Sequence, residues 1–222
     1  MKPRISSYDE AATGGPENRC KWRVVTLFGL DGAGKTTLAE MTVARLSSLG
    51  IDAVYARPKF GERPHKRVTT HLQPDKPSIK NRSSSFPSRM IDAVILPCLL
   101  LEHYMANAIE IAEPVGEGKC VVAERSWPDT LVDLVVDFRI PYNVARTLVR
   151  PSKSKRNECL VFLDVPRGVA MNRKPGPYDV EYLSRRESAY RTIVRDLRVH
   201  SINTSQNPQT ALNEIIELLE AE

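Results

Sequence analysis

The sequence predicts a three-layer α/β domain in which helices flank a five-stranded parallel sheet, and two observations carry this prediction. Short apolar runs alternate with helical patterns over most of the 222 residues, and these runs are apolar throughout, which is typical of parallel strands covered on both faces. A glycine-rich segment separates the first run from the first helical pattern. A chain of this length can bury one substantial core, so we expect one domain, over residues 22–222.

The five apolar runs are rich in valine, isoleucine, leucine and phenylalanine, which favour strands. We expect these strands over residues 23–30, 52–57, 119–124, 159–165 and 199–204.

The helical patterns have recognisable ends. Ala39, Val43 and Leu46 follow an i, i+4, i+7 spacing, and Gly50 is placed to end that helix. The C-terminal helix can begin at Asn207-Pro208, because asparagine caps a helix and proline suits its first turn. The longest pattern runs from about residue 88 to 112, with Pro97 either kinking or splitting it. Its apolar stripe comprises Ile91, Val94, Ile95, Cys98, Met105 and Ile109.

Two segments lack such periodicity. Residues 1–21 are polar and rich in glycine, proline and serine, which indicates a flexible tail. Residues 58–87 are basic, rich in proline and serine, and longer than an ordinary connection. We expect a mobile substrate loop or a partly disordered segment there.

Composition narrows the cellular setting and the partners. The net charge of +5 suits a phosphorylated partner or simply a solvated basic surface. Few aromatic residues accompany the basic ones in 58–87, so nucleic-acid binding is not expected. No apolar run approaches the roughly 20 residues that cross a bilayer. The first 20 residues contain no hydrophobic segment, so we expect no secretory or transit signal there. The four cysteines are isolated, which favours a reducing, cytoplasmic location.

The glycine-rich segment matches the P-loop pattern G-x-x-x-x-G-K-[ST] between a strand and a helix. Glycines let backbone N–H groups surround an anion, Lys35 supplies a positive charge to the β- and γ-phosphates of ATP, and Thr36 can bind Mg²⁺. A tight glycine turn alone would leave Lys35-Thr36 unexplained. No Asn-Lys-x-Asp guanine motif accompanies the loop, so a small phosphotransferase is favoured over a GTPase. The expected ATP-binding residues are Gly29, Asp31, Gly32, Ala33, Gly34, Lys35, Thr36 and Thr37.

Five motifs in this order resemble the thymidylate kinase branch of the nucleoside monophosphate kinases, over nearly the whole chain after Trp22. They are "FGLDGAGKTTL" (28–38), "YARP" (55–58), "VVAERS" (121–126), "LVFLDVPRGVAMNRK" (160–174) and "INTSQNP" (202–208).

The resemblance implies a P-loop NTPase fold and transfer of the γ-phosphoryl group of Mg·ATP to a nucleoside monophosphate such as dTMP. Lys35, Glu124, Arg125 and Arg173 are then the catalytic residues. Thr36 and Glu124 would bind Mg²⁺, and Arg125 would clamp the phosphate of the acceptor. The P-loop carries no arginine, so the resemblance assigns the screening cation to a lid, at about 173–186, with Arg173 as first choice before Lys174, Arg185 and Arg186. Such kinases often pair through the long helix, which implies a homodimer.

The sequence departs from the family on the acceptor side. His103 and Met105 stand where the family reads the acceptor, and its Ser-x-x-Ala-Tyr-Gln pattern is replaced at Asp129, Val132, Asp133 and Leu134. Asp129 and Asp133 are four apart and share one helix face, where they either enter the acceptor site or lie on the surface. We expect His103 on a helix surface and Trp127 either in the acceptor pocket or plugging the end of the sheet. The expected acceptor contacts are Asp31, Arg57, Arg125, Asp129 and Asp133.

Three alternatives stay open. "ERS" (124–126) resembles the deoxynucleoside kinases, which phosphorylate a hydroxyl, although their glutamate base after the second strand has no counterpart here. "PDTLVD" (128–133) resembles thymidylate-kinase-like proteins of uncertain substrate. A nucleotide-binding regulatory or scaffold protein without turnover would keep the P-loop and lose the acceptor site.

Overall fold

The structure is a computed structural model that describes residues 22–58, 86–149, 157–175, 179–205 and 207–221. The predicted tail over 1–21 lies outside the described residues, as do residues 59–85 of the predicted mobile segment. Phe86 and Pro87, at the end of that segment, belong to a helix.

Five parallel strands form one sheet, as predicted. The strands are β1 (Val24–Phe28), β2 (Ala53–Ala56), β3 (Cys120–Glu124), β4 (Glu158–Asp164) and β5 (His200–Asn203). Their order across the sheet is β2-β3-β1-β4-β5. Every residue of β1 and β3 is buried, which explains why both strands are almost wholly apolar. In this order the carboxyl ends of all five strands meet at one edge, where ligands bind in such sheets.

Helices flank the sheet. Those described are α1 (Lys35–Ser48), α2 (Phe86–Asn107), α3 (Glu113–Gly116), α4 (Trp127–Val136), α5 (Tyr142–Val149), α6 (Arg167–Arg173), α7 (Val180–Leu197) and α8 (Pro208–Ala221). Helix α1 contacts α8, whereas α4 contacts α5 and α7. This completes the predicted three-layer α/β arrangement.

The predicted ends of the first and last helices are confirmed. Helix α1 ends at Ser48, and Gly50 follows it with φ 78°, a left-handed conformation that glycine adopts without strain. Helix α8 begins at Pro208, and the side chain of Asn207 accepts a hydrogen bond from the backbone N–H of Gln209 at 2.9 Å. These caps fix both helix boundaries.

The long helix α2 passes through Pro97 without splitting and continues into a π-helical turn, Ala108–Ala112, before α3. Its apolar residues near the C-terminal half are exposed, namely Leu101 (62%), Met105 (55%), Tyr104 (54%) and Ile109 (45%). His103 is only 3% exposed, so its expected position on the helix surface is wrong. The helix turns His103 and Asn107 inward and leaves an apolar face outward.

Among the helices of the described ranges, none is both long enough and apolar enough to cross a membrane.

Candidate active site

The P-loop lies between β1 and α1, and its glycines allow close packing as well as sharp turns. A Cβ atom at Gly29 would lie 2.7 Å from the carbonyl oxygen of Leu163, at the end of β4. A Cβ atom at Gly32 would collide with the carbonyl oxygen of Ala170 in α6. Gly32 and Gly34 also have φ near 88° and 87°, which other residues adopt with strain. The loop is therefore fixed against two neighbouring elements before any ligand binds.

The first turn of α1 is left uncapped by side chains. Gly34 occupies the N-cap position and supplies no side-chain hydrogen bond. The N–H groups of the first turn of a helix have no partner within the helix and carry its positive dipole end. This N-terminus can therefore bind the phosphates of a nucleotide.

Lys35 opens α1 and is 5% exposed. Its Nζ donates to the carbonyl oxygens of Gly29 at 2.5 Å and Leu30 at 2.9 Å. Two carboxylates lie close, with Oδ1 of Asp31 at 3.8 Å and Oδ1 of Asp129 at 4.0 Å. Burial lowers the pKa of Lys35, and the charges of Asp129 and Asp31 oppose that shift. The ammonium group thus has neighbouring acids that offset its burial.

Glu124, at the end of β3, is 1% exposed and lies among donors from three residues. Thr36 donates to Oε2 at 2.8 Å, and the Tyr55 hydroxyl donates to Oε1 at 2.6 Å. Nε of Arg57 lies 3.1 Å from Oε1, and the backbone N–H of Arg57 donates to Glu110 in the π-helical turn. Burial and the hydrogen bond to Glu124 raise the pKa of Tyr55, so the phenol stays a donor. The carboxylate that the sequence singles out for Mg²⁺ therefore touches the P-loop threonine.

Arg125 follows Glu124 with φ 55°, a left-handed conformation that is uncommon outside glycine and is often found at functional sites. Its Nη2 lies 2.5 Å from Oδ1 of Asp31, and Nζ of Lys174 lies 3.9 Å from the same oxygen. Burial alone would raise the pKa of Asp31, but the charges of Lys35, Arg125 and Lys174 lower it to about 2. The predicted phosphate clamp is thus paired with a carboxylate of the P-loop.

Helices α4 and α7 face each other through residues spaced four apart on each helix, which we call the α4–α7 ladder. Its members are Asp129 and Asp133 on α4, Asp137 directly after α4, and Tyr182, Arg186 and Tyr190 on α7. The hydroxyl of Tyr190 donates to Oδ1 of Asp129 at 2.7 Å. Nη2 of Arg186 lies 2.6 Å from Oδ1 of Asp133, and its Nη1 lies 3.6 Å from Oδ2 of Asp137.

The Arg186 side chain is 15% exposed and also contacts aromatic rings. Its guanidinium carbon lies 5.7 Å and 6.0 Å from the ring centres of Tyr182 and Tyr190, a distance at which cations are attracted to aromatic faces. Burial would lower the pKa of Arg186, but the charge of Asp133 and its other partners raise the pKa well above its ordinary value. The arginine is therefore charged and anchored within the ladder.

Two other singled-out residues have hydrogen-bond partners outside the P-loop. Arg173, at the end of α6, donates to the carbonyl oxygens of Thr204 at 2.8 Å and Ser205 at 3.1 Å, after β5. Trp127 is 2% exposed, and its indole N–H donates to the carboxylate of Glu158 at the start of β4. Trp127 belongs to the buried apolar core, and Lys174, from the predicted lid, lies beside Asp31.

The fold thus brings most predicted site residues together around the carboxyl edge of β1 and β3. Sequence reasoning missed Tyr55, Tyr190 and Glu110. The strand alternation could have indicated Tyr55, because Tyr55 and Arg57 are two apart and point to the same side of the sheet. The matched i, i+4, i+8 spacings of the ladder were also visible in the sequence.

No family model matches the sequence, and no curated protein matches it. Among solved structures, the thymidylate kinase from Ehrlichia chaffeensis matches with a TM-score of 0.64 at 18% sequence identity, over 89% of this chain and 97% of that chain. At that identity the likeness shows the fold alone. The chain has the P-loop NTPase fold, a five-stranded parallel sheet flanked by helices, which it shares with that thymidylate kinase.

Proposed function

We propose that the protein transfers the γ-phosphoryl group of ATP, with Mg²⁺, to a nucleoside monophosphate resembling dTMP. One observation carries the proposal, the 2.8 Å hydrogen bond from Thr36 of the P-loop to Glu124 at the end of β3. It brings a phosphate-binding loop and a buried acid to the same edge of the sheet. Kinases need these two parts beside each other to position ATP and its metal ion.

On the nucleotide side, Lys35 would bind the β- and γ-phosphates, together with backbone N–H groups of the loop from Gly29 to Thr37. Thr36 and Glu124 would hold the metal ion, and the fit is good because both supply oxygen, the donor that Mg²⁺ prefers. Their direct contact places the two donors within reach of one ion. A bound Mg²⁺ would neutralise negative charge on the phosphates of ATP during the transfer.

On the acceptor side, Arg125 would bind the acceptor's phosphate with its planar guanidinium. Asp31 is paired with Arg125 at 2.5 Å, so an incoming phosphate would replace that carboxylate as its partner. Arg57 stands beside Glu124 and would contact the acceptor from β2. Asp129 and Asp133 would contact the acceptor from α4. Arg173 is our proposed screening cation, and this role requires it to leave the carbonyl oxygens of Thr204 and Ser205.

A hydroxyl acceptor is the second candidate, and a specific observation favours it. Oδ2 of Asp129 is buried and has no hydrogen-bond partner in the described structure. A carboxylate oxygen of this kind can accept the proton of a hydroxyl as its oxygen attacks the γ-phosphorus and the bond to ADP breaks. An acceptor phosphate would instead bring negative charge towards Asp129.

We also propose a homodimer formed through α2. The exposed Leu101, Tyr104, Met105 and Ile109 support it, because a contiguous apolar helix face marks a contact surface. Leu101→Glu with Met105→Glu should convert the dimer to a monomer in light scattering. A wild type that is already monomeric at high concentration would contradict this proposal.

A coupled ADP-release assay tests the function directly. The panel contains dTMP, the other nucleoside monophosphates, nucleosides and sugar phosphates, each with Mg·ATP. Turnover with a monophosphate supports the proposal, and turnover with nucleosides alone supports the hydroxyl acceptor. ATP binding without turnover on any member would favour a regulatory or scaffold protein. Lys35→Ala serves as the inactive control.

A further inference from the structure

Lys35 has contacts that compete with its proposed role. A P-loop lysine contacts the phosphates of the nucleotide, yet Nζ of Lys35 donates to two backbone carbonyl oxygens and lies 4.0 Å from Asp129. Phosphate binding therefore requires Lys35 to give up, or share, these partners. Two carboxylates near Nζ carry charge, that of Asp31 at 3.8 Å and that of Asp129 at 4.0 Å. Asp31 belongs to the P-loop itself, whereas Asp129 comes from another element, α4.

Asp129 depends on Lys35 in turn. Its side chain is 8% exposed, and a buried carboxylate needs donors or a cation. Tyr190 donates to Oδ1, whereas Oδ2 has no hydrogen-bond partner among the residues described. One hydroxyl is a weak substitute for solvent, so the ammonium group at 4.0 Å accounts for much of the remaining compensation.

We propose that Asp129 is a positioning residue that holds Lys35 away from the phosphate site until ATP binds, and that Tyr190 sets the strength of this hold. The inference rests on the proposed function, because it requires ATP phosphates in the P-loop. In this role Asp129 acts on Lys35, which belongs to the ATP-binding part of the site. The phosphates of ATP and the carboxylate of Asp129 compete for the same ammonium group.

Tyr190 is the adjustable part of this arrangement. Its hydrogen bond shares the charge of Asp129 and so weakens the attraction of that carboxylate for Lys35. Arg186 lies beside Tyr190, with Nη2 3.5 Å from the hydroxyl, and is itself held by Asp133. The position of α7 therefore influences how firmly Asp129 holds the P-loop lysine.

The proposal predicts opposite effects on ATP affinity for two substitutions. One removes the charge of Asp129 beside Lys35, and the other removes the hydrogen bond that Tyr190 donates to Asp129. Asp129→Asn removes the competing charge and keeps an oxygen for Tyr190, so ATP should bind about tenfold more tightly. Tyr190→Phe leaves Asp129 charged with fewer donors, so ATP should bind about threefold more weakly. A purely structural role for the α4–α7 contact would make both variants bind ATP more weakly.

The experiment measures the affinity of the wild type and the variants for Mg²⁺ and the non-hydrolysable ATP analogue AMP-PNP, by titration calorimetry at pH 8. Asp196→Asn is the matched control, since Asp196 likewise accepts a hydrogen bond from a tyrosine hydroxyl, that of Tyr142 at 2.8 Å, near the C-terminal end of α7. It should leave the affinity within about twofold of the wild type. Thermal melts confirm that each variant is folded, and Asp129→Ser replaces Asp129→Asn if the latter does not fold.

The outcomes separate the inference from the function on which it rests. Tighter binding by Asp129→Asn together with weaker binding by Tyr190→Phe supports the inference. Unchanged or weaker binding by Asp129→Asn overturns it, as does a shift in the same direction for both variants. A wild type that binds no analogue contradicts the proposed function, and the inference falls with it.

Discussion

The P-loop and the α4–α7 ladder lie on either side of Lys35, and the two regions are held in place by different interactions. Backbone packing fixes the P-loop, because Gly29 and Gly32 approach the carbonyl groups of Leu163 and Ala170 too closely for any side chain. Charged and hydroxyl side chains hold the ladder, from Tyr190 on Asp129 to Arg186 on Asp133.

This difference bears on how each region can change. Backbone contacts depend on shape and tolerate few substitutions, whereas side-chain ion pairs can be exchanged for others when both partners change together. The nucleotide side keeps the common P-loop pattern, and the acceptor side departs from the resembled family at Asp129 and Asp133. We infer that the side chains of the ladder determine which acceptor this chain binds.

Lys35→Ala should have the largest effect, because it removes the positive charge of the P-loop. Removing the charge that binds the transferred phosphate should lower kcat/KM by about a thousandfold. The overall fold should survive, because Lys35 belongs to no packed apolar cluster. The coupled ADP-release assay gives the rate and circular dichroism the fold. Lys119→Ala, at the opposite end of the sheet, should keep full activity, and full activity of Lys35→Ala would remove the basis of the proposal.

Arg186→Met should break the ladder. It leaves Asp133 and Asp137 without their arginine and removes the contacts of the guanidinium with two aromatic rings, which together should cost about 2 kcal/mol of unfolding free energy. Urea denaturation measures the loss. Arg185 is the neighbouring arginine and is exposed, so Arg185→Met should change stability by less than about 0.5 kcal/mol. Equal losses in the two variants would show that the ladder does not stabilise the fold.

Gly32→Ala and Gly34→Ala distinguish two reasons for the glycines of the P-loop, which are close packing and backbone conformation. Both residues have nearly the same left-handed φ, but only at Gly32 would the new methyl group collide with Ala170. The Gly32→Ala variant should therefore lose about 2 kcal/mol more unfolding free energy than Gly34→Ala. Thermal and urea unfolding of both proteins give the difference. If the two variants were equally stable, conformational strain alone would explain the glycines.

Tyr55→Phe should have the smallest effect, and it tests the hydrogen bond between Tyr55 and the proposed metal ligand Glu124. Without the hydroxyl, Oε1 of Glu124 loses its 2.6 Å donor, and loss of such an outer partner lowers metal affinity by about tenfold. The Mg²⁺ dependence of turnover and the binding of Mn²⁺, followed by electron paramagnetic resonance, measure the change. Tyr104→Phe removes a phenol that bonds to Leu148 on another part of the surface, and should leave both unchanged. An unaltered Mn²⁺ affinity in Tyr55→Phe would contradict the expectation.

The sheet could be predicted because each strand is a local apolar run and each helix end has its own signal. Gly50 and Asn207-Pro208 identify ends through residues within one turn of the chain. His103 could not be placed in this way. Whether a helix turns its apolar or its polar side inward depends on what it packs against, and here Leu101 and Met105 are exposed while His103 is buried.

In the site, too, features carried by consecutive residues could be predicted, whereas contacts between distant residues could not. The P-loop was predictable because eight consecutive residues carry it. The partners of Asp129 were not, since Tyr190 lies 61 positions away and joins it only through the packing of α4 on α7. The conformation in which Arg173 bonds to Thr204 and Ser205 likewise depends on where β5 ends. The roles of the predicted site residues in binding and catalysis stay predictions, as does the cytoplasmic location.

The π-helical turn at Ala108–Ala112 has a consequence for insertions and deletions in this chain. A π turn accommodates one residue more than an α-helical turn does, and one residue corresponds to about 100° of helix rotation. The turn allows Glu110 to accept a hydrogen bond from the backbone N–H of Arg57, while His103, upstream, stays buried against Thr130. Deleting a single residue between 108 and 112 would restore regular α-helical geometry and rotate one contact away from the other. The extra residue thus sets the phase between the two ends of the long helix.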